Sequence, residues 1–108
     1  MSAYLSLRCA IALAEAEVGV KDYAHAQRDL EQNLSTTEKA GMRLDMARIN
    51  YLLGSSARLS GSTDRTQITY HYAEAVRLLD AIKSDPGAEN ILRRADLKAI
   101  YDDANRYK

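Results

Sequence analysis

Tyr51-Leu52-Leu53-Gly54, followed by Ala57 and then by Ser60-Gly61, is the stretch on which the fold turns. Apolar and small residues recur there in steps of three and four, the period of a helix face, and Ser60-Gly61 stops the pattern. Leu44 and Ala47 extend the stripe backward, so the spacing predicts a helix over 43–60. Beyond the stop, Ser62-Thr63-Asp64 offers candidate caps, and Asp64 with Gln67 has capping-box spacing. The helix they open, over 64–84, carries Ile68, Tyr72, Ala75, Leu79 and Ile82 on one stripe.

The same reading extends to both ends. Upstream, Leu7, Ile11, Ala14 and Val18 form a stripe over 3–19, and Gly19 to Lys21 breaks it. Asp22 is a cap for a second helix over 22–40, with Tyr23, Ala26, Leu30 and Leu34 along one side and a stop at Ala40-Gly41. Downstream, Asp85 before Pro86 reads as cap and first helical position of a fifth helix over 86–106. Its apolar residues, Ile91, Leu92, Ala95, Ile100, Tyr101 and Ala104, spread over two faces. Period-two alternation is absent, so the chain is all-α, and short connections predict antiparallel neighbours. Its 108 residues make one domain.

A repeat is embedded in this series. Ile11-Ala12-Leu13-Ala14 matches Tyr51-Leu52-Leu53-Gly54, and each is followed by a second helix, Tyr23, Ala26, Leu30 and Leu34 in one and Arg65, Ile68, Tyr72 and Val76 in the other. A large residue next to a small one on the first helix, facing an aromatic, a small and a large residue on the second, resembles the tetratricopeptide repeat. The spacing, about 40–42 residues, is similar to the family's long-helix variant. Ala10 and Asn50 stand where the family usually has a large apolar residue, and Asn33 where it has Ala.

The resemblance implies a right-handed superhelix of two helix-turn-helix repeats, about 3–40 and 43–84, closed by a capping helix at about 86–106. The structural repeat positions are then Ala14, Tyr23, Ala26 and Leu30 in the first unit. In the second they are Leu53, Gly54, Ala57, Ile68, Tyr72 and Ala75. It further implies a concave face lined by Arg8, Ile11, Glu15 and Val18 from one repeat and by Arg48, Tyr51, Ser55 and Arg58 from the other. Members that clamp a chaperone's terminal carboxylate carry Lys and Asn where Ile11 and Glu15 stand, so that specialisation is not implied.

Chemistry finds little footing. His25 and His71, the two histidines, sit beside the stripes without a second ligand at metal spacing, and read as solvated helix side chains. Cys9 is single, which excludes an internal disulfide, and it reads as a small buried apolar residue. Glu15/Glu17 and Asp102/Asp103 are spaced so that they diverge on a helix rather than converge. Gly-rich phosphate loops are missing. No catalytic residue, metal or cofactor is expected, and the protein does not read as an enzyme.

Charge excludes two more classes. Fifteen Lys and Arg balance fifteen Asp and Glu, so no global field draws nucleic acid or an anionic membrane. Arg93, Arg94 and Lys98 cluster, but beside Asp96, Asp102 and Asp103. No run has the length of a membrane span, and the N-terminus lacks the order of a secretory signal, so a cytoplasmic location is expected. The resulting expectation is a scaffold, monomeric or weakly dimeric, that binds a protein or peptide with acidic or carboxylate groups. The alternative is a regulatory or self-association segment of a larger signalling protein, which helical spacing beginning almost at Met1 would suit.

Overall fold

The computed structural model describes residues 3–40, 43–61, 63–85 and 93–108, with 3–10, 35–40, 95 and 96 described by their backbone alone. They form five helices: α1 (Ala3–Gly19), α2 (Tyr23–Ala40), α3 (Arg43–Leu59), α4 (Arg65–Lys83) and α5 (Ala95–Tyr107). Among the described residues there is no strand, and the fold is all-α. The first four helices lie within a residue or so of the positions their stripes predict.

The turns have distinct causes. After α1, Lys21 takes the left-handed conformation at φ 66°, while its N–H and that of Asp22 return to the carbonyls of Val18 and Glu17. Gly19, the residue suited to that conformation, lies two positions too early. After α3, Gly61 takes φ 81° and its N–H returns to Arg58. The Asp64 carboxylate then accepts the Gln67 N–H at 3.1 Å and caps α4. Asp22 directs its carboxylate to the His25 ring instead, 2.8 Å away.

The fifth helix differs from its expectation. α5 starts at Ala95, and its N-cap, Arg94, is extended at ψ 127°, so no single helix runs over 86–106. Gly41, Ser62, Pro86, Ile91 and Leu92 lie outside the described residues, as do the side chains of Arg8, Cys9 and Ala95.

Consecutive helices pack together, and α3 also touches α1 and α5. α3 is the hub. Its Ile49, Leu52 and Leu53 meet Ile11, Ala14 and Leu30; its Ala57 joins Ile68, Tyr72, Ala75, Val76 and Ala104; its Ala47 joins Leu78, Leu79 and Leu97. The pairings run Ala47 with Leu79 and Ala57 with Ile68, so α3 and α4 are antiparallel. Tyr72 sits by Tyr107 and Leu79 by Leu97, so α5 reverses again and runs parallel to α3. Of the expected repeat positions, Ala14, Ala26, Leu30, Leu53, Ala57, Ile68, Tyr72 and Ala75 are buried, whereas Tyr23 is half-buried.

Candidate functional site

Three helices enclose a groove. Glu15 from α1, Arg48, Tyr51 and Leu52 from α3, and Ala99 and Ile100 from α5 line a cavity of about 310 Å3. Leu52 and Ile100 make its surface largely apolar, and Glu15 and Arg48 place one charge of each sign on it. Tyr51 closes one side. Its hydroxyl donates to the Asp103 carboxylate at 2.8 Å, tying α3 to α5, and its ring stands edge-on to Tyr72 at 5.9 Å. Burial, then the bond to Asp103, pushes the Tyr51 phenol up to about 12, so it stays a neutral donor at any working pH.

Only part of the expected concave face gathers here. Glu15, Arg48 and Tyr51 do. Ile11 does not, because it is 4% exposed and packs with Leu30 in the core. Ser55 does not either: it is 5% exposed, and its hydroxyl is 3.0 Å from that of Tyr72. Val18 is half-buried and lies off the groove. Arg58 points to another cleft, where its Nε–H donates to the Tyr72 hydroxyl at 3.1 Å and its guanidinium lies 4.0 Å from the Tyr107 ring centroid. A face on α3 that looks exposed in isolation is covered once α4 and α5 are in place. Leu52, Ala99 and Ile100 escaped the sequence reading because their exposure depends on where α5 crosses α3.

His71 is the other departure. It is 8% exposed, not solvated, and its Nδ1 is 2.8 Å from Oδ1 of Asn50, itself 3% exposed. The Asn50 amide donates to the Met46 carbonyl at 3.0 Å, which makes Oδ1 the acceptor and puts the His71 proton on Nδ1. Burial lowers the His71 pKa, so the ring is neutral near pH 7. Asn50 is thus matched by a buried polar partner. His71 borders a cavity of about 260 Å3 between α2, α3 and α4, with Gln27, Glu31 and Gln67 on its walls.

A metal finds weaker provision. Glu17, Asp22 and His25 bring ligand atoms within 4.8 Å of one another at the α1–α2 turn. His25 is exposed and its Nδ1 already lies 2.8 Å from both Asp22 carboxylate oxygens, a contact that raises its pKa and satisfies the pair without an ion. No helix of the described residues is long and apolar enough to cross a membrane. No family model, curated protein or solved structure matches the chain.

Proposed function

We propose that the protein is a non-catalytic binding module that holds a peptide segment in the groove between α1, α3 and α5. The observation that carries this reading is the groove itself: a largely apolar trough, framed by Glu15 and Arg48 and closed on one side by Tyr51, which Asp103 holds. Apolar area supplies affinity there, and the flanking charges and the aromatic edge supply orientation. An acidic or carboxylate group on the peptide would sit by Arg48, with its neighbours kept off Glu15 by like charge.

The tetratricopeptide-like reading belongs to the same proposal. Gly54 against Tyr72 in the second pair of helices has its counterpart in Ala14 against Leu30 in the first, each a small residue under a large one. In such an array the odd-numbered helices share a layer, and α3 touches both α1 and α5. On this reading α5 covers the end of the second unit with Leu97 and Ala104, both fully buried.

Ala99→Arg tests the groove cleanly. Ala99 is exposed and lines the groove, so an Arg there fills it without entering the core. Substituting Tyr51 or Arg58 would be less informative, because both fasten α5. In a random-peptide selection, wild type is expected to enrich a family of sequences that Ala99→Arg no longer retains at unchanged helical circular dichroism. Equal retention by the variant would remove the groove from the interaction.

A further inference from the structure

A second cleft lies at the far end of α3, where the chain turns into α4. Arg58, Arg65, Ile68, Thr69 and Tyr107 line it, and its volume is about 360 Å3. Two arginines therefore line one cavity. Among the described residues the Arg65 side chain has no ion pair or hydrogen bond, and the Arg58 side chain donates only through its Nε.

Arg58 is held in position before any ligand arrives. The Tyr72 hydroxyl accepts its Nε–H, the Tyr107 ring lies under its face, and Tyr72 is itself fully buried. An arginine fixed in this way loses little freedom on binding and presents a planar fork suited to oxyanions. Two carboxylates stand nearby: Asp103 accepts from Tyr51, though its charge still reaches Arg58, and Asp64 caps α4. Because Asp64 already meets the positive end of α4, the attraction comes from the two arginines.

We propose that this cleft binds a small organic phosphate monoester, its phosphate between Arg58 and Arg65 and its organic part against Ile68 and Tyr107. Two cations match a dianion better than the single charge of a carboxylate. A monoester is close to dianionic at about pH 7.5, since its second pKa is about 6. The Thr69 hydroxyl adds a donor on the same wall. The size of the cavity, at the lower end of small-ligand pockets, leaves room beyond the phosphate itself. This inference is independent of the peptide groove, which Arg58 does not line.

Phenyl phosphate is the probe, titrated into isotope-labelled protein at low salt while amide shifts are followed. Saturable shifts at Arg58, Arg65, Ile68, Thr69 and Tyr107 are expected. Arg65→Gln should weaken binding about tenfold, the scale of one charge-assisted hydrogen bond. Benzoate, with one charge, should bind about tenfold more weakly as well, for the same loss of one charged contact. Arg65 is exposed and its side chain has no partner among the described residues, so its variant keeps the fold even if Arg58→Gln does not. Absent saturation, unchanged affinity in Arg65→Gln, or benzoate binding as tight as phenyl phosphate would each overturn the proposal. Co-sedimentation with phosphatidic acid vesicles that depends on Arg65 would overturn the assignment to a soluble ligand, and lack of pelleting would support it.

Discussion

The backbone of Gly54 faces the ring of Tyr72 so closely that a Cβ there would lie 3.1 Å from both Cδ2 and Cε2. That is tighter than ordinary contact, and the ring cannot easily retreat. Ser55 and Arg58 hold its hydroxyl, and Tyr51 and Tyr107 pack against it. Tyr72 is the point where α3, α4 and α5 meet, and the absent side chain at Gly54 is what admits it.

Gly54→Ala is therefore expected to destabilise. It gains about 0.8–1 kcal/mol of helix propensity but crowds a pinned ring, an overpacking cost of about 1–3 kcal/mol. A net loss of about 1 kcal/mol should appear in urea melts, and Gly54→Leu should lose about 3 kcal/mol or more. In a Tyr72→Phe background the ring is freed from Ser55 and Arg58, so the cost of Gly54→Ala should shrink. A double-mutant cycle with no coupling would mean that the hydroxyl does not restrain the ring.

Lys21→Gly is expected to stabilise by about 0.5 kcal/mol. A non-glycine residue at φ 66° bears a left-handed cost of about 1–2 kcal/mol, partly offset by the greater entropy of glycine in the unfolded chain. Gly19→Ala, with nothing within 4 Å of its added Cβ, should gain rather than lose. Thermal melts of the two variants check both signs.

The contrast between these glycines shows where sequence is informative. Scarce Gly and Pro mark helix ends because few residues tolerate the turn, so four helices were legible. Which residue of the Gly19–Lys21 break turns left-handed was not, since Lys21 does so rather than Gly19. Rotational register was legible on α4, where Ile68, Tyr72, Ala75, Leu79 and Ile82 are all buried. The width of its buried face was not. α4 packs against both α3 and α5, which takes His71, Val76 and Leu78 inside as well. Likewise Ile11 and Ser55 share a helical face with groove residues, yet neighbouring helices cover them. Pairings such as Tyr51 with Asp103 join residues far apart in sequence and leave no periodic signal.

His71 should make stability fall on mild acidification. Burial holds its folded pKa below the unfolded value of about 6.5, so the unfolded chain takes up the proton first. Its contribution is intact above about pH 6.5 and is lost as pH falls from there through the lowered value. His25 acts oppositely. Asp22 raises its pKa, so its stabilisation is present below about pH 6.5 and lost as pH rises through the raised value. Urea midpoints at about pH 7.5 and 5.5 should converge in His71→Gln and diverge further in His25→Gln. A wild-type slope unchanged by His71→Gln would place that ring in water.

α5 presents two faces, and they should respond differently. Leu97 is fully buried among Ala47, Leu78 and Leu79, so Leu97→Ala should cost about 2–5 kcal/mol. Ala99 is exposed, and Ala99→Arg should stay within about 0.5 kcal/mol of wild type. Equal losses at both positions in urea unfolding would mean that α5 is rotated from the orientation described.

The groove between α1, α3 and α5 is tested most directly by amide shift mapping with the tightest peptide from a random-library selection. Shifts centred on Glu15, Arg48, Tyr51, Ala99 and Ile100 are expected, with residues around Arg65 unmoved. Shifts centred on another surface, or a library from which nothing is enriched, would contradict it.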